Sequence, residues 1–301
     1  MTKLLVIIAG PTASGKTRLA IDLALHFKTE ILSADSRQFY REITIGTAKP
    51  GESELKAVPH YFINSHSVAH HFNAGNYSVE ATRLLSTLFV NHDVVIMAGG
   101  SGLYIDAVIH GIDNLPEANQ SIRDNLENIF QSEGITALQK LLATTDPASY
   151  DTIDINNPRR VIRALEVSMS TGLPYSSHIG KINNSRPWDW MMAGIAWPRE
   201  ALYERINERT RAMIANGLKE ETLNVMDFRD RNALSTVGYK EMFDHIDGKI
   251  SLEETTSLIA QHTRNYAKRQ LTWFRRYKEM IWINPGEENQ LKKLIEKKLE
   301  E

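Results

Sequence analysis

Residues 7 to 24 read IIAGPTASGKTRLAIDLA, and the stretch Gly10-x-x-x-x-Gly15-Lys16-Thr17 constrains the fold more than any other feature of the chain. A glycine-bounded loop of this spacing turns successive backbone N–H groups toward one point, where they hold phosphate oxygens. Lys16 adds a point charge, Thr17 can ligate Mg²⁺, and the helix that follows presents its positive end. Gly10, Pro11, Thr12, Ala13, Ser14, Gly15, Lys16 and Thr17 are therefore candidate ligands of a phosphate or diphosphate. The loop requires a strand before it and a helix after it, which KLLVIIAG and KTRLAIDLALHF supply.

The same alternation continues. EILSADS and HDVVIMAGG read as further strands, with helical pattern between them in SVEATRLLSTLFVN. Strands alternating with helices imply a parallel, doubly wound sheet. The glycines ending the first and third strands mark its carboxyl edge, where ligands bind. From about Asp113 to Arg186 the character changes, and SIRDNLENIFQSEG, ITALQKLLATT and NPRRVIRALEVSMSTG are helices with no clear strand among them. MMAGIAWP returns to the sheet. One or two long helices follow over 199–226, then another from about Leu252 to Tyr277, a short strand in EMIWINP, and a charged amphipathic tail helix. The expected fold class is α/β. A P-loop NTPase-like core with a parallel sheet spans 1–112 and 187–301, and a mainly helical insertion domain spans 113–186.

Composition limits the chemistry. There is no cysteine, which excludes disulfides, a thiol nucleophile and thiolate zinc sites. No apolar run reaches ~18 residues, so no membrane span is expected, and the cytoplasm is the default location. A net charge of −2 means that any nucleic-acid partner is held by local patches. His66, His70 and His71 cluster without an acidic or cysteine partner in the sequence, and we assign them no metal.

Enzymes that hydrolyse ATP usually pair such a loop with a strand ending in Asp. Here VVIMAGGSGLY ends in Ala-Gly-Gly, which weakens that reading. Asp35, after the second strand, is open to two readings: the cap of a following helix, or a base or hydrogen-bond acceptor beside the phosphates. Gln38 shares its face if the segment is helical. Arg159, Arg160 and Arg163 put three arginines in five residues. In residues 259–278 six residues are basic and none is acidic, interleaved with Tyr266, Trp273, Phe274 and Tyr277. Arg264, Lys268 and Arg275 share a helical face there, and some of the aromatics belong to the core.

The ordered motifs GPTASGKT, SADSRQFY, IGTAKP, VPHYF, GGSGLY, NPRRVIRALEV, VGYKE and AKRQLTWFRR, from residue 7 to about 277, resemble those of the bacterial tRNA dimethylallyltransferases. The resemblance implies that the loop holds the diphosphate of dimethylallyl diphosphate with Mg²⁺ at Thr17. It implies that N6 of the adenosine 3′ of the anticodon (position 37) attacks the allylic carbon, in tRNAs reading codons that begin with U. Asp35 is then the base, and Ser101, where many relatives have threonine, contacts the target base. Asp35, Ser36, Arg37 and Gln38, together with Arg159, Arg160, Val161, Ile162 and Arg163, touch the anticodon stem-loop, and Arg123 reaches the tRNA as well. Arg205 and Arg209 align on one helix. One of the two, with Arg209 as the candidate, reaches the leaving diphosphate, against a surface ion pair with Glu204 or Glu208. A monomer is expected. Three alternatives compete: a small-molecule kinase, a tRNA-binding protein that keeps the loop as a nucleotide switch, and an adenylate isopentenyltransferase acting on free nucleotides.

Overall fold

The computed structural model describes residues 3–113, 115–116, 119–181 and 186–301. The chain divides into two compact units, one of Met1–Ile109 with Ser185–Glu301 and one of His110–Asn184.

The larger unit opens with β1 (Leu4–Ala9), α1 (Lys16–Phe27), β2 (Ile31–Ser33), α2 (Glu52–Ala57), β3 (His60–Tyr61), α3 (Ala74–Asn91), β4 (Val94–Gly99) and α4 (Gly102–Ile109). The smaller unit holds α5 (Gln120–Glu133), α6 (Ile135–Thr145), α7 (Pro147–Thr152) and α8 (Pro158–Thr171). The larger unit then resumes with β5 (Asp189–Ile195), α9 (Arg199–Ala215), α10 (Leu218–Asn224), α11 (Tyr239–Ile246), α12 (Leu252–Phe274), β6 (Ile281–Ile283) and α13 (Glu288–Glu300).

The six strands are ordered β3-β2-β4-β1-β5-β6, and every pairing is parallel. Parallel sheets are covered on both faces, which explains the unbroken apolar run of β1. Leu5, Ile7 and Ala9 enter one buried cluster, and Leu4, Val6 and Ile8 enter another on the opposite face. The strand ends at the carboxyl edge therefore bring together residues 10–16, 34–36, 99–101 and 196–198, far apart in sequence.

Several expectations are refined. β2 stops at Ser33, short of Asp35, and no helix follows it. The segment 199–226 is two helices, broken at Gly217, whose φ of +96° no helix accepts. β3, α2, α4, α7 and α11 lack a periodicity long enough to announce them. Among the described residues, no helix is long and apolar enough to cross a membrane.

In the smaller unit the described elements are helical, around Leu126, Leu138, Leu142, Val161 and Leu165. α8 starts where Asn157 caps its first turn and Pro158 fixes the entry, and Asp146 caps α7 in the same way.

Candidate active site

The phosphate loop runs from the end of β1 to the start of α1. Gly10 (φ +140°) and Gly15 (φ +94°) adopt backbone conformations that glycine tolerates, and Ala13 is held at φ +63° without that freedom. Two loop carbonyls are bonded from α9 and its approach. The indole N–H of Trp197 donates to Ser14 O at 2.8 Å, and Arg205 Nε donates to Ala13 O at 2.7 Å. The Arg205 guanidinium lies 4.4 Å over the Trp197 ring, a cation–π contact that orients it. Of the loop amides, that of Thr12 is taken by Gln270 Oε1 at 2.8 Å. Ser14 is fully buried, and its hydroxyl has no partner in the protein. α1 starts at Gly15 with no side-chain cap.

Lys16 Nζ donates to Pro11 O at 2.6 Å. Burial lowers its pKa from 10.5 to about 8, with Asp35 opposing the shift and Arg209 adding to it. Arg209 is also held below its ordinary value by burial, again opposed by Asp35. Lys16, Arg205 and Arg209 thus gather at one loop, with Asp35 the carboxylate that answers Lys16 and Arg209. A buried orphan hydroxyl, an uncapped helix start and converging cations fit a polyanion such as a diphosphate. Among the described residues neither Arg205 nor Arg209 forms an ion pair with Glu204 or Glu208, and Glu204 bonds Arg211 at 2.9 Å. Among the described residues no group of three or more acidic or histidine side chains gathers to bind a metal. With Thr17 and Asp35 as the nearby oxygen donors, Mg²⁺ fits here only if phosphate and water supply most of its shell, which is how Mg²⁺ usually binds.

The other side of the site is built on β2 and β4. Asp35 Oδ1 accepts the Arg37 N–H at 2.9 Å, so Asp35 closes a tight turn and caps no helix. Ser101 Oγ accepts the Ser36 N–H at 2.8 Å, and the Ser101 N–H donates to Ala34 O at 3.2 Å. This closeness requires Gly99, where a Cβ would lie 2.1 Å from Ala34 O. Tyr266 on α12 hydrogen-bonds Ser101, and burial together with the Asp35 charge pushes its phenol up to about 12, so it stays protonated. Gln38 is held by the Thr47 and Ala48 carbonyls at 3.3 and 3.2 Å, and both terminal nitrogens of Arg37 reach Asn232 Oδ1 at 3.3 Å. Asp35 and Gln38 therefore sit in a turn, not on the shared helical face weighed for them.

In the smaller unit the arginines separate. Arg163 Nη1 and Arg123 Nη2 meet Glu166 Oε2 at 3.1 and 2.7 Å, and Arg163 Nη2 donates to Pro116 O at 2.7 Å. Glu166 is fully buried. Arg160 approaches Asp154 at 3.8 Å, whereas Arg159 is exposed and lines an open cleft of about 610 Å³ with Phe130 and Asn157. The side chains of Val161 and Ile162, expected beside the RNA, pack in this unit's core. On α12, Phe274 is fully buried, Arg264 donates to Asn207 Oδ1 at 2.7 Å, and Lys268 and Arg275 are exposed. Sequence reasoning missed Trp197, Gln270 and Glu166 as parts of the site, and it placed Tyr266 only in a basic–aromatic patch. Gln270 and Glu166 lie inside quoted motifs, and that was the available signal.

A model of the IPP transferase family matches residues 38–277. The tRNA dimethylallyltransferase of Cytophaga hutchinsonii is 44% identical over 301 residues, covering 100% of this chain and 99% of the relative. That of Christiangramia forsetii is 47% identical over 283 residues, 94% of each. Among solved structures, the full-length tRNA isopentenylpyrophosphate transferase of Bacillus halodurans superposes with a TM-score of 0.73 at 36% identity, covering 99% of this chain and 97% of its own. The phosphate loop, the Asp35 turn and these likenesses agree: the chain belongs to the IPP transferase family, that of the tRNA dimethylallyltransferases.

Proposed function

We propose that this chain transfers the dimethylallyl group of dimethylallyl diphosphate to N6 of the adenosine 3′ of the anticodon, position 37, in tRNAs reading codons that begin with U. One observation carries the reading. Two buried cations, Lys16 and Arg209, lie at the phosphate loop within the field of one carboxylate, Asp35, which is hydrogen-bonded into a turn beside Ser101 at the same sheet edge.

In the reaction N6 forms a bond to the allylic carbon. The carbon–oxygen bond to the diphosphate breaks, its electron pair leaves with pyrophosphate, and the N6 proton passes to Asp35. Negative charge grows on the leaving group, and Lys16, Arg205, Arg209 and the loop amides are already in place to stabilise it. Mg²⁺, held with the help of Thr17, supplies further charge neutralisation there. An adenine amine is a weak nucleophile, and a carboxylate that takes its proton as the bond forms lowers the barrier. The tRNA is read through the exposed Arg159 and the half-buried 35–38 turn, with the target base flipped out of its stack.

The test is direct. Purified protein, dimethylallyl diphosphate, Mg²⁺ and unmodified tRNA should give isopentenyladenosine, detected by mass after nuclease digestion. Free AMP as acceptor should give none, which separates this reading from a nucleotide prenyltransferase. Phosphate transfer from labelled ATP to a small acceptor, with no prenylated tRNA, would replace it with a kinase.

A further inference from the structure

Gln270, buried on α12, reaches two turns that are remote from it and from each other in sequence. Its Oε1 accepts the Thr12 N–H of the phosphate loop at 2.8 Å. Its Nε2 donates to the Gly100 carbonyl at 2.8 Å. Only one orientation of the amide satisfies both, since one end must accept and the other must donate. The seat depends on a missing side chain, because a Cβ on Gly100 would lie 2.1 Å from Nε2. The next residue, Ser101, is tied to Ser36 and so to the Asp35 turn. One side-chain amide therefore spans from the donor loop to the turn that carries the acceptor machinery. It also withdraws the Thr12 amide from those free to meet an anion.

We infer that Gln270 is a positioning residue that fixes the distance between the prenyl donor and the accepting amine while touching neither. The inference rests on the donor and acceptor assignments above. Reacting atoms must lie within about 3–3.5 Å with aligned orbitals, and a misplacement of about 1 Å can cost 10²-fold in rate. Each turn has other anchors: Trp197 and Arg205 hold the loop, and Ala34 and Tyr266 hold Ser101. Loss of Gln270 thus leaves both turns formed and releases their mutual register. The signature is a loss in chemistry without a loss in binding.

The experiment compares wild type, Gln270→Met, Gly100→Ala and the double variant. Methionine keeps the volume and removes both hydrogen bonds, and Gly100→Ala displaces the amide without altering it. Three quantities are measured: the single-turnover prenylation rate at saturating donor and tRNA, the Kd of pyrophosphate, and the Kd of an anticodon stem-loop. The expected result is a rate loss of about 10²-fold in each single variant, with both Kd values within about threefold of wild type. The double variant should lose little more than either single one, because both remove the same contact. A rate within about threefold of wild type in folded Gln270→Met overturns the inference, as does a rate loss matched by equal losses in both affinities. If Gln270→Met does not fold, Gly100→Ala decides by the same criteria. A wild-type protein that binds pyrophosphate but prenylates no tRNA overturns the function proposed above, and this inference with it.

Discussion

The phosphate loop and the arginine cluster of the smaller unit both gather cations, but they dispose of the charge in opposite ways. At the loop, Lys16 and Arg205 donate to backbone carbonyls, and the carboxylate facing Lys16 and Arg209 is Asp35, which is itself held in a turn. Positive charge is assembled there ahead of its ligand, and the depressed lysine is the electrostatic cost. In α8, Arg163 closes directly onto the buried Glu166, and Arg123 joins it from α5. A charge bonded to a buried carboxylate orders a fold, whereas three cations sharing one carboxylate leave room for an anion. A run of arginines in a sequence does not reveal which of these it is. The difference lies in Glu166, three residues beyond Arg163 on the same helix face.

The largest expected effect falls on the neutralised cluster. Glu166→Ala leaves two guanidiniums against a buried void, and removing one partner of a buried pair costs about 3–5 kcal/mol. Urea unfolding followed by a probe in the smaller unit checks this, and a loss under about 1 kcal/mol would make the cluster no more than a surface ion pair. Next comes Lys16→Ala at the loop. It should lower kcat by about 10²–10³-fold, the usual effect of removing one preorganised group that stabilises the transition state, while the fold survives. Wild-type turnover would mean that the loop does not hold the leaving group.

Asp35→Asn keeps the turn, because asparagine can accept the Arg37 N–H as aspartate does. Its single-turnover rate should fall by about 10²-fold with tRNA affinity retained. An undiminished rate would move the base elsewhere. A smaller effect is set by pH. Burial holds the Lys16 pKa near 8 in the free protein. Below that value the ammonium is charged and pyrophosphate binds fully. As pH rises past it the affinity falls, until the pKa of the bound form is reached. Lys16→Arg stays charged, so only the wild-type affinity should show this added decline, and parallel profiles would refute it. The smallest effect is expected at Arg159, which is exposed beside its cleft. Arg159→Ala should reduce the log–log salt slope of tRNA binding by about one unit without changing stability. An unchanged slope at several salt concentrations would remove it from the interface.

What the sequence made legible follows from locality. The loop, β1, α1 and β4 are set by neighbours along the chain, through glycine spacing and apolar runs, and each appears where that pattern places it. β3 is two residues long and exists only because β2 lies beside it. The partners of the loop were hidden for a related reason. Trp197 and Gln270 meet it across 183 and 258 residues, and nothing near them in sequence specifies the contact. After β2 the sequence left open a helix that Asp35 would cap and whose face Gln38 would share. Instead the Thr47 and Ala48 carbonyls capture Gln38, a tertiary contact that outweighs a weak local preference.

β1 pairs with a strand on each side, and its side chains are buried on both faces. Its amide protons should therefore exchange with solvent only when the whole larger unit unfolds, among the slowest in the chain. Gly10 comes one residue after its last pair. The loop proposed to grip the leaving diphosphate thus hangs from the part of the protein expected to open least. Mass spectrometry of deuterium uptake would show this as a step at residue 10, with protection high before it and tuned by pyrophosphate just after.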